Sequence, residues 1–344
     1  QCHSVGEPRD FGTFSTTGVA FRAGDRLDAS QHSYRFAAAD AQAPEDPAAT
    51  QHDVGSDFWS DGTIRVAGRE YNGLLETGCA TRGELTCLSC HAMHDYREPA
   101  NQLTRAGSNA ACGECHAEVA RDVPAHTHHA VDSPGSDCLN CHMPHTTYGL
   151  FAAMRSHRID SPSAANQART GRPNACNLCH LDQTLEWTHQ NLHAWYEQPL
   201  VELGEDERTI AASVLWALRG DAAQRAIAAW HMGWEPARQA SGQDWIGSYL
   251  ALMLDDPYVA VRRVAERSLE TLPGFEAFPY DFIAPPAERA RMQGEALGRL
   301  QRSRSGAPDR FGRRLLVDEL GGLDRDALER LYLQRDDTPI RISE

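Results

Sequence analysis

One pentapeptide pattern, C-x-x-C-H, occurs four times in the 344-residue sequence and constrains the chain more than any other feature. The copies read CLSCH, CGECH, CLNCH and CNLCH, and they begin at Cys87, Cys112, Cys138 and Cys176. Eight of the ten cysteines belong to these copies, and a histidine follows the second cysteine each time. A zinc ribbon, a disulfide framework or a redox dithiol needs paired cysteines but not this histidine.

Covalent attachment of haem c is the chemistry that requires the whole pattern. Two thiols three positions apart on one helical turn can reach the two vinyl groups of a porphyrin, and the next residue directs its imidazole at the iron. The predicted thioether cysteines are Cys87, Cys90, Cys112, Cys115, Cys138, Cys141, Cys176 and Cys179. The predicted proximal ligands are His91, His116, His142 and His180, so at least four haems c are expected. Because haem c is attached outside the cytoplasmic membrane, the sequence predicts a periplasmic or extracellular protein.

The other histidines outnumber the four remaining iron positions, so bis-histidine ligation is expected. His94 and His145 each follow a proximal histidine by three residues and lie on the same side of their own haem. Each is therefore expected either to ligate a neighbouring haem or to be an ordinary surface residue. Further distal candidates are His126, His128, His129 and His157. For His189 and His193, surface or haem-contact roles are expected.

Two cysteines, Cys2 and Cys79, lie outside the four pentapeptides. They could pair as a disulfide, which an oxidising compartment permits. Alternatively, Gln1-Cys2-His3 reads as the end of a fifth C-x-x-C-H motif whose first cysteine would precede the given sequence. In that case Cys2 and His3 contribute to a fifth haem site and Cys79 is a free thiol.

Charge and composition exclude several classes of function. The net charge is −15, with 33 basic and 48 acidic residues, which argues against nucleic acid and anionic membrane surfaces as partners. The sequence contains no lysine, which excludes Schiff-base and P-loop chemistry and a lysine-ligated haem. No apolar run approaches the roughly 18 residues that would span a bilayer, so membrane insertion is not expected. The partners expected are other redox proteins or multihaem cytochromes, including further copies of this chain.

Residues 1–203 are predicted to form a multihaem domain in which porphyrin, rather than side chains, makes the core. Residues 1–56 read as an extended arm rich in Gly, Ala, Asp and Pro. The segment FWSDGTIRVAG (58–68) predicts a hairpin with a turn at Asp61-Gly62. From 74 to 200 the helical patterns are short and irregular. The expected fold class is therefore mainly α with few strands.

Residues 204–344 are predicted to form a helical domain with a polar tail. Apolar residues recur at three- and four-residue spacing over 207–220, 222–232, 244–254 and 257–272, and two more helices are expected near 286–303 and 324–335. Asp256 followed by Pro257 predicts an N-cap and first helical position. Paired helices of this length favour either HEAT-like repeats, which present a surface to partners, or a plain helical cap on the haem domain.

The sequence resembles a bacterial multihaem cytochrome c family in which a C-x-x-C-H domain precedes HEAT or tetratricopeptide helices. The matching stretches are GELTCLSCHAMH, AHTHH followed by SPGSDCLNCHMP, RSHRI, RPNACNLCH with a following EWT, and DPYVAVRRVAERSLETLPGF. The resemblance implies that Cys2 and His3 end a haem motif and that complete members carry further motifs upstream. It also favours His94, His126, His129 and His157 as distal ligands, whereas His145 is less regular in the family.

Three functions remain open from the sequence. The first is a cytochrome that carries electrons along closely packed haems, and no catalytic residue is assigned to it. The second is a multihaem reductase or oxidase of the nitrite or hydroxylamine class, in which one iron keeps an open position. The third is a binding scaffold in which the haems are structural. The surplus of histidine favours the first.

Overall fold

The computed structural model describes residues 6–18, 21–22, 24–33, 57–66, 70–92, 103, 108–303, 312–317 and 322–340. These residues are mainly helical, with two small antiparallel sheets, so the predicted fold class is confirmed. By their contacts the residues form two units, one of 1–144 with 155–161 and one of 145–154 with 162–344. The predicted haem domain, 1–203, includes residues 145–154 and 162–203, which cluster with the second unit.

The first unit contains short helices and one two-stranded sheet. Its strands are Gly6–Pro8 (β1) and Gln31–Ser33 (β2), paired antiparallel with Gly6 opposite Ser33. Its helices are Phe11–Thr17 (α1), Leu27–Ser30 (α2), Glu70–Leu75 (α3), Gly78–Thr81 (α4), Cys87–Cys90 (α5), Ser108–Gly113 (α6), Ala117–Arg121 (α7), Val123–Thr127 (α8) and Cys138–His142 (α9). The predicted Asp61-Gly62 turn is present, with one antiparallel bridge between Phe58 and Ile64 and a φ of 83° at Gly62.

The described residues around the pentapeptides of the first unit form no apolar core of their own. Among the described residues from 70 to 142, the buried side chains are all polar: Asn72, Thr77 and Ser136. The buried apolar side chains of the described first unit surround the Asp61 turn instead; they are Phe58, Trp59, Ile64 and Val66. Side-chain burial alone therefore cannot offset the conformational entropy that ordering these segments costs.

The second unit begins with a hairpin and continues as packed helices. Its strands are Thr147–Gly149 (β3) and Ala152–Met154 (β4), with Tyr148 opposite Ala153. Its helices are Ala164–Thr170 (α10), Ala175–Cys179 (α11), Leu185–Tyr196 (α12), Glu205–Thr209 (α13), Ala212–Arg219 (α14), Ala222–Gly233 (α15), Glu235–Ser241 (α16), Ile246–Met253 (α17), Val259–Leu269 (α18), Pro286–Ser303 (α19) and Arg325–Tyr332 (α20). None of the described helices combines the length and apolar character needed to cross a membrane.

The core of the second unit lies among α14, α15, α17 and α18. Helix α15 packs against α14 and α18, and α17 packs against α18 and α19. Ile227, Leu250 and Val261 are 0 % exposed at the centre of this packing. The apolar face predicted for the 257–272 segment is buried throughout; it comprises Val261, Val264, Ala265, Leu269 and Leu272. The assignment of these helices to HEAT-type repeats stays a prediction.

Two helix boundaries differ from those predicted. The 207–220 pattern forms two helices rather than one, because Ile210 is extended and the amides of Ala211 and Ala212 donate to carbonyls outside the helix. The 257–272 helix begins at Val259 with Tyr258 as its N-cap, so Asp256 is not the N-cap. The carboxylate of Asp256 instead forms a buried ion pair with Arg225 while also accepting from the Tyr258 amide.

The Arg225–Asp256 ion pair gives a prediction for the stability of the second unit. Arg225 Nε lies 2.7 Å from Asp256 Oδ2, and both side chains are 2 % exposed. Asp256→Ala leaves a buried guanidinium without its carboxylate, so the free energy of unfolding should fall by about 3–5 kcal/mol. Urea unfolding followed by far-ultraviolet circular dichroism measures this loss.

The neighbouring residue supplies a matched control. Asp255 pairs with Arg289 at 3.1 Å, but its side chain is 34 % exposed. Asp255→Ala should therefore reduce the free energy of unfolding by about 1 kcal/mol or less. Equal losses in the two variants would show that burial of the Arg225 pair has no special role.

Candidate haem sites

Each pentapeptide forms a single helical turn that brings its histidine back to its first cysteine. The histidine amide donates to the carbonyl of the first cysteine at 2.9 Å for Cys87, 2.9 Å for Cys112 and 2.8 Å for Cys176. The third pentapeptide is helix α9 itself, Cys138–His142. Among the described residues, neither the eight motif cysteines nor the half-exposed Cys79 forms a disulfide. The local geometry thus agrees with the turn that thioether attachment requires.

Short polar side chains start three of these turns. Asp137 Oδ1 accepts from the Leu139 amide at 3.0 Å, and Asn174 Oδ1 accepts from the Cys176 amide at 3.0 Å. In the first motif, Ser89 Oγ accepts from the Thr86 amide at 3.0 Å. Asp and Asn are favoured at helix N-termini because their side chains satisfy amides that have no partner within the helix.

Two proximal histidines of the first unit face a second imidazole. The ring centroids of His91 and His157 are 6.3 Å apart with 27° between the ring planes. Those of His126 and His142 are 6.1 Å apart with 10° between the planes. Two imidazoles on opposite sides of one iron, each about 2 Å from metal to nitrogen and a further ångström or so to the ring centre, place their centroids roughly 6 Å apart. Both pairs have the separation that one bis-histidine iron requires.

Backbone carbonyls orient one ring of each pair. His142 Nδ1 donates to the Asp160 carbonyl at 2.8 Å, and His157 Nδ1 donates to the Arg155 carbonyl at 3.2 Å. A carbonyl only accepts, so the proton is on Nδ1 and the lone pair of Nε2 is available to a metal. Residues 155–161 therefore support a ring from each of the two pairs. Arg158 anchors this segment by donating to the Asp61 carbonyl at 2.6 Å.

Burial keeps the second ring of the His126–His142 pair neutral. It lowers the pKa of His126, and the nearby imidazoles of His142, His128 and His116 lower it further. Neutral imidazole is the form that binds a metal. His116, the proximal residue of the second motif, is thus close enough to His126 to affect its charge.

The thiols of the second and third motifs are in direct contact. Cys112 and Cys138 form a hydrogen bond, which lowers the pKa of Cys138 to about 7 and raises that of Cys112. Burial raises the pKa of Cys141 to about 11. Burial also raises the pKa of Cys90, with a smaller contribution from Cys79. The contact between Cys112 and Cys138 makes the second and third attachment segments neighbours in space.

The fourth motif lies in the second unit and is held by a buried amide. Asn177, between the two cysteines, is 0 % exposed. Its Nδ2 donates to the carbonyls of Gln183 at 3.0 Å and Thr184 at 3.3 Å, and its Oδ1 accepts from Thr188 Oγ1 at 2.7 Å. These bonds attach helix α11 to the start of α12. The His180 ring lies 4.9 Å from the Trp187 ring between centroids.

His145 lies in an aromatic cluster of the second unit. Its ring centroid is 4.7 Å from Trp230, 5.3 Å from Trp234 and 5.9 Å from His231. Trp230 is also 4.9 Å from His231, so its indole fills the space beside the two imidazoles. The His145–His231 separation is close to that of the other two imidazole pairs, but the ring planes are 65° apart and Trp230 lies 4.7 and 4.9 Å from the two rings. Ligation by His145 stays a prediction.

The other predicted ligands have varied surroundings. His129 Nδ1 donates to the Thr127 carbonyl at 2.6 Å, and its ring lies against Gly135, where a Cβ would be 2.2 Å from the ring. His193 is exposed and donates to the Gln198 carbonyl at 2.8 Å. A surface role for His189 is wrong, because His189 is 4 % exposed. Cys2, His3 and His94 lie outside the described residues.

Several supporting residues carry no signal in the sequence. Asn109 and Asn177 join attachment segments to their surroundings, but each reads as an ordinary polar residue. The carbonyls of Arg155 and Asp160 act through the backbone, so no residue type marks them.

The residues present fit haem c. The motif cysteines are not in disulfides, each histidine follows on the same turn, and two imidazole pairs have the spacing of two ligands of one iron. Because residues 70–142 bury no apolar side chain among those described, the apolar faces of porphyrins would complete the core of this part.

Comparison with known proteins agrees with this chemistry. A family model for the doubled CXXCH motif matches residues 78–121, which include the first two pentapeptides. This match supports the predicted multihaem c-type cytochrome family over the first two motifs. No curated protein matches the chain.

Among solved structures, the outer cell wall cytochrome OcwA is similar, with a TM-score of 0.35 and 16 % sequence identity. The similarity covers 79 % of this chain and 63 % of that one. The chain therefore spans less than two thirds of the length of that cytochrome.

The two imidazole pairs predict a spectroscopic change. His157→Ala and His126→Ala should each convert one low-spin ferric haem to high spin, because each removes one of two nitrogen ligands. The double variant should convert two haems. Electron paramagnetic resonance of the oxidised protein, with haem content checked by intact mass, measures the converted fraction.

His193→Ala is the matched control, since this exposed ring donates to the nearby Gln198 carbonyl and its loss should leave every haem low-spin. Unchanged spectra in the His157 and His126 variants would reject the pairing.

Proposed function

We propose that the chain transfers electrons along haems c attached at its four C-x-x-C-H motifs, with a fifth site completed at Cys2 and His3. The observation that carries the proposal is the pairing of two motif histidines, His91 and His142, with a second imidazole at axial-ligand spacing. Haem c supplies a one-electron couple, and two imidazole ligands give a lower reduction potential than a Met/His pair. An iron with both positions filled has no site for a substrate, which favours electron transfer over catalysis.

The protein groups around these pairs are suited to fast electron exchange. Nδ1 of His142 and of His157 is fixed by a backbone carbonyl, so neither ring has to turn when the charge of its iron changes. Preorganised ligands keep the reorganisation that accompanies charge transfer small. The contact between Cys112 and Cys138 further supports a short path between the second and third haems.

The fourth site is proposed to use His180 as its proximal ligand. Asn177 and its buried hydrogen bonds hold the attachment turn, and Trp187 lies beside the imidazole. The proposal also includes a distal ligand for this site and for the His116 site. It includes roles for His94, His129 and His145 as haem ligands. It further includes a haem domain at residues 1–203 and HEAT-like helices at 204–344 that present a surface to partners.

Location and partners follow from the chemistry of attachment. Haem c is attached outside the cytoplasmic membrane, so we place the protein in the periplasm or outside the cell. The proposed partners are other redox proteins or multihaem cytochromes, with self-assembly as one form. A net charge of −15 supports partners with a positive face rather than nucleic acid.

Redox titration with carbon monoxide tests the proposal against a reductase or oxidase. An electron-transfer protein should take up one electron for each haem counted by mass and bind no carbon monoxide in the reduced state. Haems that stay oxidised under dithionite would overturn electron transfer, and a haem that binds carbon monoxide or nitrite would favour an enzyme.

Loss of one attachment site gives a direct prediction. Cys138→Ala with Cys141→Ala removes both thioether positions of the third motif, so the intact mass should fall by one haem and the electrons taken up by one. Unfolding of the helical unit should be unchanged, because α14–α18 have their own core. Electron exchange through the remaining haems, measured by protein-film voltammetry, should slow.

The matched control is Cys79→Ala, which removes a cysteine outside every motif and should keep all haems. Full haem content in the Cys138/Cys141 variant would contradict attachment at this motif.

A further inference from the structure

Helix α6 carries an asparagine that connects the second haem motif to the third. Asn109 Nδ2 donates to the Ser136 carbonyl at 2.7 Å, and Asn109 Oδ1 accepts from the Cys138 amide at 2.9 Å. Cys138 is the first cysteine of the third motif. Asn109 and Cys112, the first cysteine of the second motif, are three residues apart on α6 and share a helix face. One side chain therefore spans the two attachment segments.

The segment that Asn109 contacts is also fixed from its other side. Ser136 is 1 % exposed, and its Oγ lies 3.0 Å from Thr127 Oγ1 and donates to the His129 carbonyl at 3.2 Å. Asn140 Nδ2 donates to the Pro134 carbonyl at 2.7 Å. Because residues 134–138 are held in this way, the two hydrogen bonds of Asn109 fix the position of the third motif relative to helix α6.

The chemistry of the amide explains why asparagine suits this position. A side-chain amide offers a donor group and an acceptor at a fixed separation. This arrangement matches the Ser136 carbonyl and the Cys138 amide, which are two residues apart. An aspartate could accept from the Cys138 amide but could not donate to the Ser136 carbonyl. A leucine of similar size could do neither.

We propose that Asn109 is a positioning residue that holds the second and third haems at a fixed separation and thereby sets the electronic coupling between them. This inference rests on the proposed function, because coupling has a role only if electrons pass between haems. Electron exchange weakens steeply with distance, so a small loosening of the two segments has a large effect on coupling. Among the described side chains, Asn109 bonds both segments directly.

Soret circular dichroism of the haem-loaded protein tests the inference, because two porphyrins held close together give an excitonic couplet whose amplitude depends on their separation and angle. The part of the couplet from this haem pair is the part lost in Cys138→Ala/Cys141→Ala. Asn109→Leu should reduce that part at least twofold while the intact mass keeps every haem and the irons stay low-spin. Asn109→Asp, which retains one bond, should give an intermediate amplitude.

Two controls isolate the effect. Asn166→Leu makes the same change on helix α10 of the second unit and should leave the couplet unchanged. In the Cys138→Ala/Cys141→Ala background, Asn109→Leu should cause no further change, since the partner haem is already gone.

A wild-type couplet in Asn109→Leu with all haems present would overturn the inference, as would a further change in the Cys138→Ala/Cys141→Ala background. If Asn109→Leu loses a haem, the couplet of Asn109→Asp tests the inference instead. A reduced couplet in that variant supports a positioning role for Asn109, and a wild-type couplet overturns it. Haems that cannot be reduced in the wild type would overturn the proposed function instead, and this result is distinct from an unchanged couplet.

Discussion

Contact between the chain and covalently held porphyrin is the interaction that the proposed haem sites would supply to the first unit. Ordering each residue costs about 1–2 kcal/mol of backbone entropy, and apolar burial is the main term that offsets it. The described residues from 70 to 142 bury only polar side chains, so this stretch needs an apolar surface that the chain does not supply. A core made by porphyrin permits short helices that place cysteines at set positions, and it does not require long amphipathic helices. The second unit differs, because Ile227, Leu250 and Val261 are fully buried within its own helices.

Two kinds of support hold the groups around the proposed haems. Ring orientation is set by the backbone, since the carbonyls of Asp160 and Arg155 accept from His142 and His157. Because both carbonyls belong to one short segment anchored through Arg158, a displacement of that segment would affect a ring in each imidazole pair at once. Separation of motifs, by contrast, depends on side chains such as Asn109, which a single substitution can remove. Ring orientation therefore depends on one anchored backbone segment, and the spacing of the motifs depends on the side chain of Asn109.

The sequence predicted what is local and missed what is long-range. The helical turn of each pentapeptide follows from a spacing completed within five residues and is present at all four motifs, whereas haem attachment and ligation there stay predictions. His126 and His157 were candidates, but which proximal ring each would face depends on how distant segments fold back, and no local pattern records that. The same limit explains the helix predicted over 207–220. Its apolar spacing is continuous, yet the amide of Ala211 donates to the Arg314 carbonyl and that of Ala212 to the Gln183 carbonyl, which interrupts the helix.

The fourth motif shows how far the two units differ in their dependence on haem. Asn177 joins the attachment turn of this motif to α12. The side-chain amide of Asn177 donates to the Gln183 carbonyl and accepts from Thr188 Oγ1, and the side chain is buried. Leu178, beside Asn177, is 2 % exposed, so this turn packs into side chains of its own unit. Protein contacts thus order the turn at Cys176. The turns at Cys87, Cys112 and Cys138 lie in a part of the chain whose described residues bury no apolar side chain. Under the proposed function, haem attachment at the fourth motif would add to a turn that protein contacts already order, whereas at the other three motifs it would supply the missing apolar surface.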